Sequence, residues 1–189
     1  MRKLPPVPEE VLYKANDSFL EETIERYNHA VSKNDEEEAK EIILRMFDIL
    51  SYRTIVLPLE VRFLDNKLKC AFRKGRLPTD IDIFNNEKIE TSPIFAEIRK
   101  KGSNDPFIKY VSVLSSVRKL KDVSMYNTIY ETTFRDVYEK YIKNSKEVEG
   151  ICLNPCNDNF IFSKELCEII LYGSKETDWK KAAEEFYRK

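Results

Sequence analysis

Apolar residues in the first third of the chain recur every three or four positions, which is the spacing of one face of an α-helix. Two such stripes are visible: Phe19, Leu20, Ile24, Tyr27 and Val31, followed by Ala39, Ile42, Ile43, Met46, Phe47 and Leu50. Ser18 and Glu21 have the spacing of a capping box at the start of the first stripe. Polar residues at 32–35 interrupt the pattern and supply a cap for a second helix. The pattern therefore predicts an amino-terminal helical hairpin.

From about residue 54 the spacing becomes that of β-strands. Residues 54–61 are β-branched and apolar, and Pro58 among them predicts either an edge strand or an irregularity in strand pairing. Residues 67–73 alternate apolar and polar side chains, as the second strand of a hairpin does. Residues 93–98 and 107–114 predict another hairpin, because the segment between them is dense in turn-forming residues.

Strands and helices alternate in the rest of the chain. The pattern predicts strands at 126–130, 148–153 and 159–162 and helices at 133–142 and 163–171, the last one capped by Ser163 and ended by Gly173. A final amphipathic helix is predicted from four residues at i, i+3, i+4 and i+7, namely Trp179, Ala182, Ala183 and Phe186.

These elements predict one α+β domain. It consists of an amino-terminal helical hairpin, a mostly antiparallel central sheet with intervening helices, and a carboxy-terminal amphipathic helix. We expect residues 1–16 to be an extended proline-rich amino terminus and residues 17–173 to form the α+β domain. Residues 174–189 are expected to form the terminal helix and to pack on that domain.

Composition narrows the classes of partner. The 189-residue chain carries 32 Lys and Arg residues against 33 Asp and Glu residues, a formal net charge of −1. A chain with this balance has no overall positive potential that would attract the phosphates of nucleic acid. Prolines interrupt the first eight residues where a signal peptide needs an apolar stretch, and the aliphatic run at 55–59 is far shorter than a membrane span. We therefore predict a cytoplasmic protein with neither a membrane nor a nucleic acid as its partner.

The cysteines offer one weak candidate for chemistry. Four are present, Cys70, Cys152, Cys156 and Cys167. Without a targeting signal they are expected to be reduced thiols, and their spacing is not that of paired zinc ligands. Cys156 lies in a predicted turn with Lys164 nearby in sequence, but no histidine is close enough to act as its base. A buried or inert thiol is the favoured interpretation.

Asp80 and Asp82 are a second weak candidate. In an extended segment both carboxylates project to one side, where they could share a metal or act as acid and base. The solvated face of an edge strand explains the pair more simply. We therefore predict no catalytic residue, metal or cofactor, and the question of enzymatic activity stays open.

Candidate partner contacts come from charge and from aromatic residues. Two local basic clusters follow predicted hairpin strands, and the terminal helix carries two large aromatic residues: Arg73, Lys74 and Arg76; Arg99, Lys100 and Lys101; Trp179 and Phe186. The two aromatic side chains either pack on this domain or dock on a partner, because burying each is worth about 1.5–3 kcal/mol. The two basic clusters are where we expect a charged partner to bind.

Three segments carry, in order, motifs that occur together in a known protein family. Residues 109–120 resemble a strand that leads through a Phe-Thr-Ser-like tripeptide into a short helix, although Leu114-Ser115 stands where Phe-Thr is usual. Residues 133–137 are similar to a Thr-Phe-x-Asp-Leu helix start. Residues 148–166 are similar to the family's Gly-x-x-x-Asn-Pro close, with Cys156-Asn157 replacing the usual aromatic or glycine pair. In this order the three segments resemble the SseB amino-terminal domain family, named after an enhanced-serine-sensitivity phenotype. The resemblance implies a bacterial cytosolic α+β domain without a defined reaction.

The motif Gly150, Asn154 and Pro155 has a structural explanation. Asn154 can bond its own backbone, Pro155 fixes φ, and Gly150 permits close packing, so the segment suits a tight connection between adjacent strands. A functional role for the loop is the alternative.

We predict a non-catalytic protein-binding module. An enzyme or small-ligand domain with a site assembled from distant residues and a toxin-neutralising immunity protein are the alternatives, and the oligomeric state is left open.

Overall fold

The computed structural model describes residues 18–63, 89–99, 107–116, 119, 128–155 and 158–187. The helices are α1 (Ser18–Ser32), α2 (Glu36–Tyr52), α3 (Phe134–Val137), α4 (Lys164–Tyr172) and α5 (Asp178–Tyr187), and a π-helix (Tyr138–Ile142) continues α3. The strands are β1 (Thr54–Phe63), β2 (Ile89–Pro93), β3 (Phe95–Ile98), β4 (Ile108–Val113), β5 (Thr128–Thr133), β6 (Val148–Leu153) and β7 (Phe160–Ser163). The predicted α+β class is confirmed. The predicted strand at 67–73 lies outside the described residues.

The amino-terminal helical hairpin is confirmed. Asp35 caps α2, because its side chain accepts a hydrogen bond of 3.1 Å from the backbone N–H of Glu38. The apolar stripe of α2 is buried along its length, whereas the stripe of α1 is exposed at its two ends, Phe19 and Val31. The guanidinium of Arg45 lies over the exposed Phe19 ring.

The described strands form two sheets. One has the order β2-β1-β5 and is antiparallel, and the other has the order β3-β4-β6-β7. Within the second sheet β4 and β6 run parallel, while β3 and β7 pair antiparallel at the two sides. Reciprocal backbone hydrogen bonds between Val56 and Leu114 connect the two sheets.

Pro58 lies in a central strand, at an irregularity in its pairing. On the β2 side the ladder of β1 ends at Leu59, and the bridge to Leu114 begins at Val56. The backbone nitrogen of Pro58, which carries no hydrogen, faces this same side. Pro58 is two residues from Val56, and the N–H of Val56 donates to Leu114. Pro58 still accepts a hydrogen bond of 3.2 Å from the N–H of Ile94. The proline therefore occupies the one place where β1 changes partners on that side.

The carboxy-terminal helix is confirmed, and α5 packs on its own domain. Trp179 is 4% exposed, and its indole N–H donates a hydrogen bond of 2.9 Å to the carbonyl of Ile169 in α4. The ring of Phe47 meets Trp179 edge-on at 6.1 Å between centroids. Phe186 is half-buried and contacts Phe47, Phe160 and Phe162. The aromatic residues of α5 thus close the core between α2 and the second sheet.

Candidate functional site

The parallel pair β4 and β6 places two motif segments at one edge of the second sheet. Ser115 and Ser116 follow β4, and Asn154 and Pro155 follow β6, so the carboxyl ends of both strands meet there. In open sheets this is the edge at which ligands most often bind. Together with Asp158, which follows in the turn to β7, Ser115, Ser116 and Asn154 form what we call the strand-end cluster.

Asn154 is the centre of the strand-end cluster. Its side-chain oxygen accepts hydrogen bonds from the backbone N–H of Ser115 at 2.9 Å and from the Ser115 hydroxyl at 3.1 Å. Its amide nitrogen donates to Asp158 at 3.0 Å, and its backbone N–H donates to Val113 at 2.8 Å. Asn154 is 1% exposed and has φ of 52°, a conformation that asparagine tolerates better than most residues. Its amide joins the ends of the two strands.

Two further contacts attach α1 to this edge. Asp158 accepts a hydrogen bond of 3.3 Å from the Asn28 side chain, and the Lys119 ammonium lies 3.5 Å from its other oxygen. The Ser116 hydroxyl donates to the carboxylate of Glu21, one end of the capping-box pair suggested by the sequence. The polar groups of the strand-end cluster are therefore used in holding α1, β4 and β6 together.

The chemistry open to this cluster is limited by burial. Ser115 and Ser116 are 3% and 1% exposed, and both hydroxyls are engaged by acceptors within the protein. A hydroxyl nucleophile must reach its substrate and transfer its proton to a base. In the described geometry neither hydroxyl is accessible to a substrate, and the arrangement favours the structural explanation of the Asn-Pro motif.

Gly150 lies inside β6 and not in the turn. Its φ is 152°, and a Cβ atom built on it would lie 2.0 Å from the backbone oxygen of Phe162 in β7. The close packing expected for this glycine is thus found against the neighbouring strand. Asn154 differs from the sequence expectation, because its side chain bonds Ser115 and Asp158 rather than its own backbone.

Replacing Asn154 by alanine tests how much the hydrogen bonds of the strand-end cluster stabilise the fold. We expect the free energy of unfolding to fall by about 2 kcal/mol more than in Asn34→Ala, because the buried N–H and hydroxyl of Ser115 lose their acceptor. Asn34 is the matched control, since it also has positive φ, 56°, but is exposed. Urea denaturation of both variants measures the difference, and equal losses would show that the network contributes nothing beyond the backbone conformation.

The remaining predicted site residues are distributed widely. Arg99 is exposed, and its guanidinium lies 4.9 Å from the centroid of the Phe107 ring. Trp179 belongs to the core, which leaves its indole no surface for a partner. Eight candidates lie outside the described residues: Arg73, Lys74, Arg76, Asp80, Asp82, Lys100, Lys101 and Cys156.

Cys152 and Cys167 are buried and form no disulfide among the described residues. Burial raises the pKa of the Cys167 thiol, whose sulfur donates to the carbonyl of Phe162 at 3.5 Å. A raised pKa keeps the thiol protonated at neutral pH, and the thiolate is the nucleophilic form. Cys167 is accordingly a core side chain and not a reactive one.

The structure adds an exposed surface on the β3–β4 hairpin. Phe95 and Glu97 lie two apart on β3, Glu97 pairs with Lys109, and Phe107 lies two residues before Lys109. Together with Arg99 over the Phe107 ring, these side chains form what we call the hairpin face. Phe95 is 39% and Phe107 50% exposed. The alternation of Phe95, Glu97 and Arg99 is the sequence signal for this face, and only Arg99 was among the predicted contacts.

The fold and site together define a mixed α+β protein with a buried polar cluster, the strand-end cluster, at the carboxyl ends of two parallel strands. Scans against protein families, curated proteins and solved structures found no match to this chain. Within the part of the chain that the structure describes, no helix has the length and apolar character needed to cross a bilayer.

Proposed function

We propose that this chain is a non-catalytic, SseB-like protein-binding module of the bacterial cytoplasm, and that it binds its partner through the hairpin face. The observation that carries the proposal is the Arg99–Phe107 pair. A large aromatic ring is half exposed and carries a guanidinium on its face, with a second exposed ring, Phe95, on the same hairpin. Aromatic residues and arginine are the side chains most enriched where protein partners bind tightly.

The charge of the hairpin face favours an acidic partner surface. Arg99 and Lys109 outnumber Glu97 there, and Lys100 and Lys101 follow Arg99 directly in the sequence. Lys109 makes a long ion pair with Glu147, 3.8 Å between nitrogen and oxygen, in which both side chains remain well exposed. Such an exposed pair is worth little, so Lys109 can exchange it for a partner carboxylate.

The SseB-like assignment rests on the resemblance of residues 109–120, 133–137 and 148–166 to the motifs of that family. The first and last of these segments contact each other through Ser115 and Asn154.

A charge-reversed double variant, Arg99→Glu with Phe107→Ser, tests the binding surface. Tagged full-length protein captures proteins from the native lysate, and the affinity of each captured protein for the variant is then measured with purified components. We expect a loss of about thirtyfold or more, as for an interface hot spot. The matched control is Tyr52→Ser with Arg53→Glu, an exposed pair of the same kind at the carboxyl end of α2, with 5.6 Å between guanidinium and ring centroid.

The control decides the interpretation. A partner that is lost with the hairpin variant and retained with the α2 variant supports the proposal. Equal retention by both variants would contradict the hairpin face as the binding surface. Equal loss would mean that the partner responds to overall charge alone.

A further inference from the structure

A groove of about 410 Å³ lies between β5 and the π-helix. Its lining includes Tyr130 and Thr132 from β5, Asp136 from α3, and three successive residues of the π-helix, Glu139, Lys140 and Tyr141. The volume falls within the range of small-ligand sites, about 300–1,000 Å³. Short π-helical segments occur often at functional sites, which gives a reason to ask what this groove can bind.

Thr132 supplies a hydroxyl to the groove. The residue is 8% exposed and lines the groove, and no hydrogen bond to its hydroxyl occurs within the described part of the chain. In that same part, no side-chain nitrogen or oxygen is both fully buried and unbonded. The hydroxyl of Thr132 therefore reaches solvent in the groove, where a ligand can bond to it.

The groove already holds a cation on an aromatic ring. The ammonium of Lys140 lies 5.0 Å from the centroid of the Tyr141 ring. Aromatic faces attract ammonium groups through their quadrupole, and the attraction is stronger in partly desolvated sites. Lys140 is exposed and carries a flexible stem, so a second ammonium can displace it.

Two carboxylates line the groove, those of Asp136 and Glu139. Glu139 is engaged by Lys143 at 2.9 Å and by the Tyr172 hydroxyl. Among the described residues the Asp136 carboxylate accepts from the Thr133 hydroxyl alone, at 2.7 Å, which leaves acceptor positions on it. When Lys140 moves aside, Asp136 is the charged group with capacity for a new donor.

We propose that this groove binds a primary ammonium group on an alkyl stem, which replaces Lys140 on the Tyr141 ring and donates to Asp136 and to the Thr132 hydroxyl. The ammonium belongs either to a free alkylamine or to a lysine side chain of another protein. This site is separate from the hairpin face and does not depend on the function proposed above.

Chemical-shift titration of the full chain with n-butylammonium tests the proposal, with 1-butanol as the uncharged ligand of the same shape. Lys140→Met keeps the stem and removes the competing charge, so we expect it to bind butylammonium about fivefold more tightly than the unmodified protein. Lys180→Met, on the exposed face of α5, is the control for the change in net charge and is expected to leave the affinity unchanged.

Thr132→Val removes the hydroxyl with little change of shape, and we expect about fivefold weaker binding. Asp136→Asn is expected to weaken it further, and because Asp136 also contacts the helix cap, its melting curve is recorded beside the titration. The proposal is overturned if 1-butanol binds as well as butylammonium, or if Lys140→Met fails to strengthen binding.

A blocked lysine peptide distinguishes the two sources of the ammonium. The peptide is Nα-acetyl-lysine N-methylamide, whose ε-ammonium group is free. Tighter binding of this peptide than of butylammonium supports a protein lysine, and the reverse order supports a free amine. Binding of neither probe to any variant overturns the site.

Discussion

Replacing Gly150 by alanine is expected to lower the free energy of unfolding by about 4 kcal/mol or more. Two costs add at this position. The new Cβ would lie 2.0 Å from the backbone oxygen of Phe162, and that oxygen belongs to a strand that cannot move away cheaply. The φ of 152° also lies where side-chain-bearing residues are rarely found. The β6–β7 pair must separate or twist to accept the change.

Gly173→Ala is the matched control for this prediction. A Cβ there would lie 2.6 Å from the backbone oxygen of Ile169, but its φ of −74° is allowed for any residue. We expect a loss of about 1–2 kcal/mol, since only the contact has to relax. Guanidinium denaturation followed by circular dichroism compares the two variants. A loss at Gly150 no larger than the loss at Gly173 would show that the β6–β7 contact adjusts freely.

Removing the indole of Trp179 is expected to have the second large effect. Trp179→Ala should cost about 4 kcal/mol, because it empties a buried aromatic site between Phe47 and α4 and leaves the carbonyl of Ile169 without its donor. Lys180→Ala, one residue along on the exposed face, should change stability by less than about 0.5 kcal/mol. Thermal melting of both variants makes the comparison.

A shortened chain extends that test. Ending the protein after Gly173 removes α5, and we expect a lower melting temperature together with exposed apolar surface at Phe47. Unchanged stability with loss of a binding partner would instead show that α5 serves association, the alternative left open by the sequence.

The sequence predicted the helices well because their signals are local. The stripe from Ala39 to Leu50 faces the core as its spacing requires, and the caps at Asp35 and Ser163 depend on neighbours three residues away. The strand positions were predicted except for β2, and the predicted β3–β4 hairpin is confirmed. The pairing of β1 with β5 and the parallel pairing of β4 with β6 were not predicted. Whether Pro58 lies at an edge or at an irregularity depends on β2 and Leu114, which are distant in sequence.

In the candidate site, too, the sequence predicted what depends on neighbouring residues and missed what depends on distant ones. Asn154 was recognised as a residue of a tight connection, since Asn-Pro has a local turn signature. Its acceptor role toward Ser115, 39 residues earlier, required the parallel pairing of β4 and β6, which nothing in either segment specifies. Thr132 and Tyr141 gave no signal, because a groove exists only after a strand and a helix pack together.

The contacts between α1 and the strand-end cluster impose an order on folding during synthesis. Asn28 and Asp158 are 130 residues apart, and the ribosome needs roughly 10 s to add that many residues. The ring of Phe47 likewise gains its contacts with Trp179 and Phe186 only after α5 has been synthesised. The helical hairpin therefore leaves the ribosome first, and the part of the apolar face of α2 that packs on α5 stays uncovered for seconds.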